Sequence, residues 1–124
     1  MFLDHTSATI IASTISGNSA NRGGGVFSAV NNPVGSGGGG PYVTNSTISG
    51  NTASLAGGGI YNADGRFIVE FATVTDNAAP AGAGIASRGS SGPADETSTS
   101  LRAAIVAANT GGDDLELVSG GGDS

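Results

Sequence analysis

The sequence predicts an all-β solenoid of about four coils, and three observations carry that expectation. One short motif recurs four times in 124 residues: Thr14-Ile15-Ser16-Gly17-Asn18, Thr47-Ile48-Ser49-Gly50-Asn51, Thr73-Val74-Thr75-Asp76-Asn77 and Ile105-Val106-Ala107-Ala108-Asn109. The closing asparagines stand 33, 26 and 32 residues apart, and repeats of that size with elastic spacers mark a solenoid. The first three copies are followed by Gly25-Val26, Gly59-Ile60 and Gly84-Ile85. The apolar residues are small and mostly β-branched, with no Trp, which suits strands around a narrow core and serves a helix bundle poorly.

Each coil can be read against the next. Aligning Ile15, Ile48, Val74 and Val106 places Ile10, Val43, Val69 and Leu101 five residues earlier, all apolar. Ala12, Asn45, Phe71 and Ala103 stand three residues earlier. Phe67, Val69 and Phe71 alternate with strand period. The alternation then shifts phase before Ile15, Ile48 and Val74, which implies a bend between two short strands. The recurring asparagines suit tight turns, because Asn tolerates left-handed backbone, and at one place in every coil they can stack into an amide ladder. Gly23 to Gly25, Gly57 to Gly59 and Gly82-Ala83-Gly84 allow nothing larger than methyl, which predicts a crowded interior turn.

Length varies in one spacer per coil. Asn62 to Arg66 is a short turn with a hairpin-like Asp64-Gly65 signal, whereas Asn31 to Gly40 and Ser87 to Ser98 are longer. Insertions confined to one turn bulge from a solenoid without disturbing the stack. The approximate coils are then 8–40, 41–66, 67–98 and 99–124, forming one β-helix segment. The Ala-rich stretch from Thr99 to Asn109 admits a helix, but its spacing after three rungs favours a fourth.

The pattern Asn45 to Ala53, followed by Gly57-Gly58-Gly59-Ile60-Tyr61-Asn62, resembles the repeats of right-handed parallel β-helix proteins, those of polymorphic outer-membrane proteins and the wider pectate-lyase-like superfamily. The unit from Leu101 to Asp114 is similar to a near-terminal rung of such bacterial chains. The resemblance spans residues 8–118 and implies a right-handed parallel β-helix. It does not select a function, since that superfamily holds adhesins, autotransporter passengers and polysaccharide-cleaving enzymes. Chains of this kind usually continue on both sides of such rungs, so the sequence is read as a fragment without caps, and its open ends predict end-to-end self-association.

Ten carboxylates against four arginines, with no lysine, give a net charge of −6. That balance argues against nucleic acid and against an anionic membrane surface. The low charge is more typical of a secreted or surface polypeptide. Without cysteine, disulfides and zinc–thiolate sites are impossible. No stretch approaches a membrane span. Met1-Phe2-Leu3-Asp4-His5 does not form a signal peptide, so any export signal would lie outside this chain.

A polysaccharide lyase or hydrolase would need converging carboxylates, for which Asp64, Glu70 and Asp76 are candidates, with Arg66 as a cation. Glu70 should face outward in one column with Ile11, Thr44 and Arg102, where an ion pair with Arg102 is worth under about 1 kcal/mol. Asp76 replaces a turn glycine, and no coil places two carboxylates in matching columns as a glycosidase pair requires. Asp113-Asp114-Leu115 and Gly120-Gly121-Gly122-Asp123 only faintly resemble a calcium-binding nonapeptide. His5 is the only histidine, so a histidine-based cluster cannot form. Asn45-Ser46-Thr47 fits a glycosylation acceptor, discounted because Asn45 is expected to face inward. Thr47 and Thr73 lack the Thr-x-Thr register of an ice- or crystal-binding array.

The sequence therefore assigns no catalytic, cofactor-binding or metal residue and no cofactor. It favours a structural or adhesive segment of a bacterial surface or secreted protein, located outside the cell or on the outer membrane. The loops Asn31–Gly40 and Ser87–Ser98 would present recognition surfaces to a carbohydrate or cell-surface ligand. The rival is a fragment of a polysaccharide-active enzyme. The expected core is Ile10, Ile15, Val26, Val43, Ile48, Ile60, Val69, Phe71, Val74, Ile85, Leu101 and Val106. Ile48 should pair in parallel with Ile15, and Val74 with Ile48.

Overall fold

Recurring left-handed residues set the architecture, at three corners in each of the first three coils and at the first two corners of the fourth. In a computed structural model describing residues 1–4, 8–29, 41–88 and 97–118, the first corner is Ala12, Asn45, Phe71 or Ala103, with φ of 47–49°. Gly17, Gly50, Asp76 or Ala108 forms the second, at 55–70°. Gly23, Gly57 or Gly82 forms the third, at 50–66°. One left-handed residue redirects a strand abruptly, so each coil breaks into four short strands, and the bend expected from the phase shift is the first of these corners.

The first coil comprises β2 (Thr9–Ile11), β3 (Thr14–Ser16), β4 (Ser19–Arg22) and β5 (Val26–Ala29), preceded by β1 (Phe2–Asp4). The second holds β6 (Tyr42–Thr44), β7 (Thr47–Ser49), β8 (Thr52–Ala56) and β9 (Ile60–Asp64). The third holds β10 (Arg66–Glu70), β11 (Thr73–Thr75), β12 (Ala78–Ala79) and β13 (Ile85–Arg88). The fourth holds β14 (Ser98–Arg102), β15 (Ile105–Ala107), β16 (Thr110–Gly111) and β17 (Leu115–Val118). No helix occurs among the described residues, and residues 98–107 form strands.

Equivalent strands stack into four parallel sheets, ordered β2-β6-β10-β14, β3-β7-β11-β15, β4-β8-β12-β16 and β1-β5-β9-β13-β17. Ile15 pairs with Ile48 and Ile48 with Val74, in the register expected from the repeat. The chain is an all-β parallel solenoid of four coils, with β1 adding a fifth strand to one sheet.

Inward side chains stack by column. Val26, Val43, Ile48, Ile60, Phe67, Val69, Val74 and Ile85 are completely buried, and Ile10 nearly so. Three other residues differ from the expected core because of position. Ile15 and Val106 belong to the end coils, so they are only partly buried against the core. Leu101 lies in the last coil, with no rung beneath it among the described residues, and is exposed.

Phe71 is the larger correction. It does not extend the inward series of Phe67 and Val69, because it occupies the left-handed corner at φ 47° and is 60% exposed. The phase break falls on Phe71 itself, and Phe67 is the aromatic of that strand that is buried. Asn45, at the same corner, is likewise exposed rather than inward. Left-handed backbone costs an ordinary L-residue roughly 1–2 kcal/mol, and asparagine less. Phe71→Asn is therefore expected to raise stability by about 1 kcal/mol, read as a higher urea midpoint. A lower midpoint would show that the ring stabilises its corner.

Candidate functional site

The recurring asparagines form the most ordered polar feature of the molecule. Asn18 donates through its backbone N–H and Nδ2 to Asn51 Oδ1, at 3.0 and 3.1 Å. Asn51 donates in the same way to Asn77 Oδ1, at 3.0 Å for both bonds. Asn77 continues to Asn109 Oδ1 at 2.9 and 3.0 Å. The second amide proton reaches across the corner: Asn51 Nδ2 donates to Ile15 O and Asn77 Nδ2 to Ile48 O, each at 2.9 Å. The left-handed residue is the one before each asparagine, which frees the asparagine's side chain for the ladder. At the last coil Asn109 donates through N and Nδ2 to Asp114 Oδ1, at 2.9 and 2.8 Å. Asp114 thus ends the ladder with a carboxylate, a role that sequence reading missed.

Glycines pack against this ladder from inside. A methyl group added at Gly59 would meet Gly84 O at 2.6 Å, Val74 Cγ1 at 2.8 Å and Asn77 Nδ2 at 3.0 Å. Gly25 and Gly84 face the equivalent atoms of the coil that follows each of them. The crowded interior turn expected from the sequence is where strands of the β4 and β5 type meet.

A polar column also runs through the interior of the fourth sheet. Asn62, completely buried, donates from Nδ2 to Gly65 O, Ser98 O and Thr99 Oγ1, each at 3.1 Å. Thr99 Oγ1 in turn donates to Ser87 Oγ at 3.2 Å. Asn62 therefore ties the corner after β9 to the coil beneath. On the outer side of that sheet, Phe27 stacks on Tyr61 with centroids 5.5 Å apart and planes 11° from parallel. The Arg22 guanidinium lies 5.8 Å from the centre of the Tyr61 ring. The alternation in Val26-Phe27-Ser28 and Ile60-Tyr61-Asn62 is the sequence signal that would have found both columns.

The candidate carboxylates do not converge. Asp64 and Glu70 lie at the end of β9 and the end of β10, either side of a five-residue strand of about 15 Å. Asp76 forms a left-handed corner beyond β11, exposed. Arg66 opens β10, next to Gly65 and Asp64. Glu70 stands in register with Thr44 and Arg102, as expected, but it makes no ion pair with Arg102. Asp113 contributes its carbonyl to Ala83 N–H at 2.7 Å. Among the described residues no group of His, Asp and Glu is arranged to hold a metal ion. His5, Asp95, Glu96, Asp123 and most of both long loops lie outside the described residues. No helix among the described residues is long and apolar enough to cross a membrane.

What the fold does vary is one corner. Between the fourth sheet and the first, β9 and β10 are joined by Gly65 alone, at φ 79°. At the same corner β5 ends at Ala29 and β6 begins at Tyr42, while β13 ends at Arg88 and β14 begins at Ser98. Comparison with known proteins finds no matching family model, curated protein or solved structure.

Proposed function

We propose that this chain is a non-catalytic segment of a bacterial surface or secreted parallel β-helix protein, akin to polymorphic outer-membrane repeats, that presents loops for recognition. The supporting observation is the single variable corner: at two of its three occurrences a long connection separates the strands, where the third has one glycine. Both connections join the same pair of sheets, so their anchor points lie along one side of the stack. Specificity placed on loops over a rigid scaffold is a common division of labour. The ligand class that fits an extracellular display role is a carbohydrate or another cell-surface molecule.

The test replaces residues 30–39 with one glycine, copying the Gly65 corner in the observed register, and measures binding to a glycan array and to whole cells. Binding should disappear while the urea transition keeps its midpoint within about 1 kcal/mol of stability, because long surface loops contribute little closure entropy. Retained binding would remove the first loop from the reading. Turnover of an acidic or neutral polysaccharide, abolished by Glu70→Ala or Asp76→Ala, would replace it with an enzyme.

A further inference from the structure

We propose that one water molecule is built into the interior of the solenoid, held between Ser28 Oγ of the first coil and Asn62 Oδ1 of the second. The site is independent of the loop reading. Both residues are completely buried, yet neither atom has a hydrogen-bond partner among the described residues. They occupy adjacent positions of one column, because Ser28 and Asn62 are register partners on β5 and β9. β5 lies between β1 and β9 in its sheet, so the pair is enclosed rather than set on an edge. Leaving two such oxygens dry is costly, and buried polar groups in native proteins are partnered by protein or by ordered water.

The asparagine ladder shows what this column lacks. There each Oδ1 accepts from the N–H and Nδ2 of the preceding coil's asparagine. The Asn62 amide is engaged at its nitrogen alone, with Nδ2 donating to Gly65 O, Ser98 O and Thr99 Oγ1. Its Oδ1 is left for a donor on the side of the preceding coil. That coil offers serine, whose side chain is shorter than an amide. The register slips immediately beyond the pair, where Ala29 stands opposite Asp64 and Ala63 is the extra residue. A bulge of this kind breaks the ladder locally and opens room beside the two side chains.

The chemistry of the pair selects the occupant. Asn62 Oδ1 only accepts, whereas Ser28 Oγ both donates and accepts. The occupant must donate at least once and be no larger than the missing amide. Water does both, and an internal water takes roughly two to four polar partners. A divalent cation is poorly served, since calcium and magnesium take about six or more oxygens and this pair brings two neutral ones.

The test is a crystal structure of the full 124-residue chain at a resolution that shows ordered water, together with oxygen-17 relaxation dispersion, which counts long-lived waters per molecule. One water within about 2.5–3.0 Å of both Ser28 Oγ and Asn62 Oδ1 is expected. Ser28→Asn, which supplies the missing amide, should lower the long-lived count by one and leave the urea midpoint unchanged or higher. Ser28→Ala removes one of the water's two partners and should shorten its residence. A direct Ser28–Asn62 hydrogen bond with no water between them, or an equal count in the unmodified chain and Ser28→Asn, would overturn the site. Should Ser28→Asn fail to fold, an unchanged dispersion in Ser28→Ala overturns it equally.

Discussion

Gly59→Ala is expected to destabilise the chain by roughly 3 kcal/mol, near the upper end of overpacking costs. The new methyl group would have to displace the Gly84 carbonyl, 2.6 Å away, which belongs to the backbone of the next coil. That carbonyl accepts the N–H groups of both Gly59 and Ile60, at 3.0 and 2.9 Å, so moving it disturbs the stacking bonds as well as the core. Gly17→Ala is the control. Nothing lies within 4 Å of its added methyl, so only the left-handed backbone opposes it, at about 1–2 kcal/mol. Urea unfolding followed by circular dichroism separates the two. Equal midpoints would mean that the interior turn is looser than its contacts indicate.

Asn77→Leu should be at least as damaging, on the order of 4 kcal/mol. Asn77 is completely buried and takes part in five side-chain or backbone contacts of the ladder. Leucine of similar size leaves the Asn51 N–H and Nδ2 without their acceptor, and Ile48 O and Asn109 Oδ1 without a side-chain donor. Each unsatisfied buried group costs about 1–3 kcal/mol. Asn18→Leu, at the exposed end of the ladder, removes only the Nδ2 donor to Asn51 Oδ1, which keeps the backbone N–H of residue 18, and should cost about 1 kcal/mol. A position-independent effect would show that the ladder carries little of the stability.

The fold was legible because a solenoid writes its structure in columns. The asparagine spacing, the Gly-Ile pairs and the apolar positions before each corner each marked one column, and the register Ile15–Ile48–Val74 followed directly. What sequence could not show was where the backbone turns left-handed when no glycine marks it. Ala12, Phe71 and Ala103 are ordinary residues at positive φ, and the alternation of Phe67, Val69 and Phe71 therefore points to Phe71 as a third inward residue of its strand. The end effects were hidden for the same reason, since Leu101 is apolar in sequence but has only one neighbouring coil among the described residues. Chemistry was less legible still. Asp114 looked like a fragment of a calcium motif, and only the stacked structure brings its carboxylate onto Asn109.

The central claim, a parallel solenoid closed around a buried asparagine ladder, is tested most directly by exchange of the side-chain amide protons. Resolved in nitrogen–proton correlation spectra after transfer to deuterated water, the Nδ2 protons of Asn51 and Asn77 should persist as long as the slowest backbone amides of β7 and β11, since both open only on unfolding of the stack. Those of Asn45, at an exposed corner, should vanish at once. Side-chain amides of Asn51 and Asn77 that exchange as fast as those of Asn45, in a chain whose backbone is protected, would contradict the ladder.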